Sequence, residues 1–588
     1  MLDPRIYRTG LVPVVLAVIV LAFSLQDQPG ALGTSLAPDA YSGQNAFATM
    51  SQLAARYPNR RPGSWGDRQV AAYVAEKLRS NRLAVSTDLY PARTVAGDRL
   101  LENVVGVEAG VGRGTIVIVS HRDALGRPGR AELSGTAVMI ELARVLAGQT
   151  EQHTIVLAST SGSVGAAGVT RLLRALPQPV DAVIVLGDLA GARASGRVVV
   201  PWSDAQTVAP PALRNTVASA LRAQGIPVAS AAGLGGQIAH LAFPMSSSEQ
   251  APFDTAGEPA VLVSLSGERA PAGNEPTTFN QIAASGRAIL QAVNALDAGP
   301  SMAAPSSYLI WSGKVVPAWA IRLLVLCLIL PVAAATLDGV ARSRRRGQPV
   351  GAWVTWVLSS ALPFVLAGIL VDLVHGVGLI GFAPAIPVHG GSVALGTAGL
   401  IVLALLGLVL IAGLAWLRPT LLTFLGPPPR SRVDPLAGAA SGVMLVLCVV
   451  AFLVWVGNPF AALLLVPALH LWLWVVVPDV RLPRPALAAL LAAGLAPPIL
   501  VAIYGAGALG LGPVGLAWSW ILLVAGGGLG WAAVLEWSAL IGCAISVGLI
   551  ALRRARAPRP EPAPVTVRGP VTYAGPGSLG GTESALRH

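Results

Sequence analysis

Residues Thr115 to Asp123 read TIVIVSHRD, an apolar β-branched run that ends abruptly in histidine and aspartate. Such a run fits a buried parallel strand, and open α/β sheets place their sites beyond the carboxyl ends of such strands. Ala131-Glu132-Leu133-Ser134-Gly135 follows and leads into a helical pattern over Ala137 to Leu146, so strand, polar turn and helix form one unit. Further buried strands are expected at Ile155 to Thr160, Ala182 to Leu186 and Ala260 to Ser264, with an edge strand at Asn103 to Val107. Helices are expected at Ala46 to Tyr57, Asp67 to Ser80 and Thr278 to Leu296. This alternation predicts an α/β doubly wound, mostly parallel sheet covered on both faces.

The surrounding composition sets that domain in a membrane protein. Of 588 residues, 54% are apolar and only 12% charged, too hydrophobic for a soluble chain. Residues 9–25 form one apolar run, and others recur over 315–552. The net charge of +12 could suggest nucleic acid, but residues 26–312 carry 22 Lys and Arg against 21 Asp and Glu. The excess therefore sits in loops beside spans, as the positive-inside bias produces, and nucleic-acid binding is not expected. All three cysteines, Cys327, Cys448 and Cys543, fall in predicted spans, so the globular part has no disulfide and no structural zinc cluster.

Taken in order, residues 1–8 form a cytoplasmic N-terminus and 9–25 an uncleaved anchor. Residues 26–40 read as a linker, 41–298 as the extracytoplasmic α/β domain and 299–314 as a second linker. An all-α polytopic membrane domain follows over 315–552, with spans near 315–337, 351–373, 391–416, 436–456, 460–478 and 486–505. The stretch 514–552 supplies one further crossing or two. Basic loops at Arg342 to Arg346, at Arg418, Arg430 and Arg432, and at Arg481 and Arg484 alternate with loops that are not basic. This puts the α/β domain outside the plasma membrane. Residues 553–588 read as a Pro/Gly-rich tail.

The strand ends carry the candidate chemistry. They are His121 and Asp123, then Glu132, then Ser161-Gly162-Ser163-Val164, then Asp188, then Glu249-Gln250-Ala251-Pro252-Phe253. In this order they resemble the family-28 metallopeptidases, di-zinc aminopeptidases, as does the turn Arg61-Pro62-Gly63-Ser64 between the first helices. The resemblance covers residues 41–298. It implies that His121 and Asp188 match metal ligands, that Asp123 matches the carboxylate orienting the histidine, and that Glu132 stands where an aspartate bridges the metals. The same comparison implies two losses. Ser163 and Val164 replace the Glu-Glu pair of general base and ligand, and Gln250 replaces the last histidine ligand. Valine cannot bind a metal and glutamine binds zinc poorly, so no catalytic residue is assigned and at most residual zinc would be held by His121, Glu132 and Asp188.

Three functions are in view. The first is a catalytically inactive zinc-peptidase-like protein whose cleft or surface serves as a binding or scaffold module for a protein partner, a peptide or a lipid-linked substrate. Its order of parts resembles the attachment subunit of the glycosylphosphatidylinositol transamidase. The second is an active membrane-bound zinc aminopeptidase, similar to endoplasmic-reticulum and vacuolar membrane peptidases, with Glu249 the nearest spare carboxylate. The third is a transporter or lipid-handling bundle marked by Arg322, Asp372, His470 and Glu536, of which Arg322, Asp372 and Glu536 could pair.

Overall fold

A computed structural model of the chain describes residues 4–112, 114–125, 129–229, 232–390, 392–425, 436, 438–477 and 482–556. Its strands are β1 (Gln26–Asp27), β2 (Ala84–Thr94), β3 (Gly97–Glu108), β4 (Thr115–His121), β5 (Thr154–Thr160), β6 (Val180–Leu186), β7 (Val199–Val200), β8 (Ala260–Val263), β9 (Tyr308–Trp311) and β10 (Lys314–Pro317). Seven of them form one sheet in the order β2-β3-β5-β4-β6-β8-β7. The inner four, β5, β4, β6 and β8, run parallel, and antiparallel strands flank them on both sides. From β4 the chain moves to β5 on one side and then to β6 on the other. The direction of winding therefore reverses at β4, and a crevice opens at its carboxyl end.

The uninterrupted apolar reading of β4 has a direct cause, since both of its faces are covered. Ile116 and Ile118 pack under the helices Gly43–Arg56, Trp65–Ser80, Ser134–Leu146 and Phe279–Asp297. Val117 and Val119 face the opposite layer, which includes Leu241 and Phe253 and runs without a break into Phe460 and Leu464 of a membrane helix. Three of those four helices have a serine or threonine N-cap, Ser42, Ser64 and Thr278, each accepting a backbone N–H three residues on. Gly135 opens the helix after β4 because a Cβ there would lie 2.5 Å from the Leu186 carbonyl oxygen. Any larger residue would push that helix off the sheet.

Two expectations need correction. Asn103 to Val107 is not an edge strand, because β3 pairs with both β2 and β5 and the edge is β2. Polar residues fall on both faces of β2, Ser86 and Asp88 on one and Thr87 and Arg93 on the other, which hides the two-residue alternation. Nor are the two expected linkers without structure, since β1, β10 and β9 form a second, three-stranded sheet. Ser312 and Gly313 both have positive φ, at 48° and 76°, as a two-residue hairpin turn requires. This sheet ties the exit of the first apolar helix to the entrance of the second.

Among the described residues eight helices are long and apolar enough to cross a membrane: Arg5–Phe23, Ala318–Arg345, Val350–Gly376, Thr397–Leu425, Ala439–Gly457, Pro459–Val476, Arg484–Leu509 and Trp531–Ala555. Pro513–Ala525, with 13 residues, is not among them. It spans about 20 Å against a hydrocarbon core of about 30 Å. Cys327, Cys448 and Cys543 are buried and unpaired within these helices. Arg430, Arg432, Arg481 and the tail from residue 557 lie outside the described residues.

Candidate functional site

The crevice at the end of β4 is framed by two buried arginines. Arg122, next to His121, points to the opposite side of the strand, where its Nε lies 2.9 Å from Asp67 Oδ1 and its Nη1 donates to the Ser159 carbonyl at 3.0 Å. Asp67 in turn accepts from the Gly63 N–H at 2.8 Å and the Ser161 hydroxyl at 2.6 Å. The Arg61-Pro62-Gly63-Ser64 turn is thereby fixed to the strand ends. Arg60 reaches inward from the same turn, donates to the Tyr57 carbonyl at 2.7 Å and places Nη2 3.8 Å from Glu132 Oε2.

The cavity is large, about 790 Å3, and brings together His121, Asp123, Glu132, Ser163, Val164, Asp188 and Glu249. Within it the hydrogen bonds differ from those the family resemblance implies. His121 Nδ1 meets Glu249 Oε2 at 2.8 Å, and Thr160 donates to the other Glu249 oxygen at 3.3 Å. Asp123 does not orient His121. Both of its oxygens accept from the Ser163 N–H at 3.2 Å, and Oδ2 also accepts from the Ser163 hydroxyl at 3.0 Å. Asp188 Oδ1 accepts the N–H groups of Ala190 and Gly191, and its Oδ2 accepts the Ser266 hydroxyl at 2.6 Å. Gln250 is absent from the cavity. It is buried with its Nε2 donating to the Trp202 carbonyl at 2.8 Å, so the residue facing His121 is Glu249, one position earlier.

Burial governs the charge states here. It opposes protonation of His121, but the charge and hydrogen bond of Glu249, with Asp123 and Glu132 nearby, raise that group to about 9. Burial pushes the Asp123 carboxyl up to about 6 and the Glu132 carboxyl to about 7, although His121 opposes both. Glu132 Oε2 is buried without a hydrogen-bond partner among the described residues.

These residues do not fit a pair of zinc ions. Val164 offers no donor atom, Gln250 faces away, and Asp188 has both oxygens engaged. Among the described residues no group of three or more His, Cys, Asp or Glu side chains is arranged to hold a metal ion.

The roof of the cavity comes from the membrane domain, which sequence reasoning missed. Pro387, Val388, His389 and Gly390, from the segment between helices Val350–Gly376 and Thr397–Ala412, line it together with Leu509 and Gly510. His389 Nε2 lies 2.9 Å from the Ser247 hydroxyl, and Arg269 donates to the Ala508 and Gly507 carbonyls. Val164 packs into a cluster of apolar membrane-domain side chains that includes Val388 and Trp518. Beside it Gly165 has φ +87°, and a Cβ there would meet Phe382 Cζ at 3.2 Å. The position that the family resemblance assigns to a metal ligand is thus a docking contact.

A smaller polar cluster lies at the same boundary. His240 stacks on Trp202 with ring centroids 4.3 Å apart and lies 3.3 Å from Glu268, while Arg197 donates to Tyr504 of a membrane helix at 3.1 Å. Burial, with Arg197 adding, depresses His240 to about 3, and burial lifts Glu268 to about 7. Burial disfavours the charged form of each.

The four polar residues of the bundle do not assemble. Arg322 donates to the Trp455 and Val456 carbonyls, and Asp372 accepts from Trp531 Nε1 at 3.1 Å. His470 lies between the Tyr7 hydroxyl, 2.6 Å away, and the Leu328 carbonyl, 2.9 Å away. No ion pair among the described residues joins Arg322 to Asp372 or to Glu536; Arg322 is engaged by backbone carbonyls and Asp372 by an indole of neighbouring helices.

No family model and no curated protein sequence matches the chain. Among solved structures it is similar to the glutaminyl cyclase of an Acidobacteriales bacterium, at 15% identity, covering 46% of this chain and 99% of that one with a TM-score of 0.35. It is also similar to a leucine aminopeptidase precursor from Bacteroides thetaiotaomicron, at 14% identity, 43% and 97% coverage and a TM-score of 0.36. A third is BSAP, a zinc aminopeptidase from Bacillus subtilis, at 13% identity, 43% and 95% coverage and a TM-score of 0.34. Likenesses at this level carry no weight for function, which rests on the side chains described above.

Proposed function

We propose that the chain is a membrane-anchored zinc-peptidase-like protein that uses its cleft to bind a ligand and not to hydrolyse it by a two-zinc route. The observation that carries this reading is the pairing of His121 with Glu249 at 2.8 Å while Val164 packs against the membrane domain. One candidate ligand is held by a carboxylate, and another position has become an apolar contact. Among the described residues the cavity carries more carboxyls, Asp123, Glu132, Asp188, Glu249 and Glu268, than cations, Arg269 and His121, and an amine entering it would draw the raised Asp123 and Glu132 carboxyls into their ionised forms. That excess suits a peptide or protein segment bearing an amine or basic end. The resemblance in order of parts to the transamidase attachment subunit supports a scaffold or receptor role by analogy alone.

In this reading the α/β domain is extracytoplasmic and the N-terminus cytoplasmic, because the arginine-rich helix ends at Arg342 to Arg346 and Arg553 to Arg554 share one side of the bundle. The polar residues of the bundle are used in helix packing, which gives a transport reading no support.

The test uses the full chain in detergent and a fluorescent peptide with a free N-terminus, beside its acetylated twin. We expect the free-amine peptide to bind more tightly than the acetylated one, to remain uncleaved, and to bind less well to Glu132→Gln. Release of the peptide's first residue by the wild type, lost in His121→Ala, would establish a hydrolase in its place.

A further inference from the structure

At the basic rim of the bundle three arginines meet a clear acceptor. Arg342 lies 2.9 Å from Asp338, Arg484 donates to the Ala555 carbonyl at 3.1 Å, and Arg554 donates to the Val475 carbonyl at 2.9 Å. Arg418 and Arg553 differ. Both guanidinium groups lie over the ring of the buried Trp356, 4.8 and 5.3 Å from its centroid. Arg418 Nε and Nη2 are buried and meet no acceptor among the described residues. Two like charges share one indole and neither forms an ion pair with a carboxylate among the described residues, an arrangement that an anion between them would stabilise.

Local structure brings these groups together deliberately. A five-residue π-helical turn, Gly413–Leu417, immediately precedes Arg418. Such turns shift the register of a helix and recur at functional sites. Gly413 packs directly on Pro363 of the helix that carries Trp356, where a Cβ would lie 2.7 Å from Pro363 Cβ.

Depth identifies the ligand. Arg418 and Arg553 each lie about 32 Å along the helix from Thr397 and Trp531, close to one hydrocarbon thickness of about 30 Å. Trp356 is about 9 Å in from Val350, at the level where indoles sit against headgroups. Beside the arginines, Trp416, Phe424 and Leu552 are 72%, 89% and 53% exposed, an apolar surface suited to acyl chains. We propose that Arg418 and Arg553, stacked on Trp356, bind the phosphate of an anionic membrane lipid. A guanidinium can donate two parallel hydrogen bonds to phosphate oxygens; the exposed Arg553 presents one at the bundle surface, and Arg418, stacked on the same indole, adds its charge beside it.

The full chain in a non-ionic detergent, read by native mass spectrometry, tests this with phosphatidylglycerol, phosphatidylcholine and inorganic phosphate as separate probes. Phosphatidylglycerol should remain bound where phosphatidylcholine does not. Arg553→Gln should weaken it about fivefold, and Arg418→Gln with Arg553→Gln about twenty-fivefold. Undiminished binding in the double variant, or equal retention of phosphatidylcholine, would overturn the proposal. Inorganic phosphate displacing the lipid at equal concentration would assign the site to a soluble phosphate and overturn the lipid assignment. Should Arg418→Gln fail to fold, the exposed Arg553, which meets no acceptor among the described residues, decides the question alone.

Discussion

The two sides of the cleft have diverged. On the β4 and β6 side, His121, Glu132 and Asp188 remain polar and line the cavity. On the other side, beyond β5 and before the helix Ala251–Thr255, Val164 packs into the membrane domain and Gln250 turns to Trp202. Chemistry is missing where the bundle docks and present where it does not. The lesson is that a buried contact and a water-activating metal compete for the same positions, since a ligand side chain at 164 would carry charge into an apolar cluster.

The frame shared by both sides should be the most sensitive. Arg122→Ala leaves Asp67 buried and unpaired, and we expect a loss of roughly 3–5 kcal/mol in denaturant melts of the detergent-solubilised chain. A loss below about 1 kcal/mol would mean that the arginine is not what holds the strand ends. Next in size is the docked side. Gly165→Val meets Phe382 and must adopt a left-handed backbone, costing about 1–3 kcal/mol. Limited proteolysis between the two domains should speed up in that variant, whereas Gly148→Val, equally left-handed but with open space around it, should leave the boundary intact.

The polar side should respond less to neutral substitutions. Asp188→Asn leaves Oδ1 able to accept but upsets the Ser266 hydrogen bond, for about 1–2 kcal/mol. Glu132→Gln should cost under about 0.5 kcal/mol near neutral pH, because burial already holds that carboxyl close to its neutral form. Reversal of that order would show that Glu132 and not Asp188 is the structural carboxylate.

The boundary also has a pH signature. His240 is depressed to about 3 from an ordinary value near 6.5, so its neutral form contributes stability above pH 6.5 that is lost progressively as pH falls toward 3. Melting temperature should fall between pH 6.5 and 4 more steeply in the wild type than in His240→Phe. Parallel curves would mean that the cluster of Trp202, Glu268 and Tyr504 opens without His240 charging.

Much of the frame was legible in the residues. The run at Ile116 to Val119 is apolar without a break because helices cover both faces, and the strand ends of β4, β5 and β6 fall where the polar residues begin. The β2 edge was hidden by polar residues on both of its faces. β9 and β10 were hidden because short strands in a Gly-, Pro- and Ser-rich stretch resemble a linker until the partner strand β1 is known. The exchange of Glu249 for Gln250 could not be read from spacing, since adjacent residues before a one-turn helix face different ways. Glu249 was nonetheless visible as the spare carboxylate. The roof formed by His389 and Val388 left no signal in the chain, because nothing in a segment between two spans states which distant cleft it covers.

Metal content tests the central claim most directly. The full chain, purified in detergent with zinc present and then dialysed, should retain less than roughly 0.1 equivalent of zinc per chain. Retention of about one or two equivalents, lost on His121→Ala, would contradict the account and make peptide hydrolysis the function to measure.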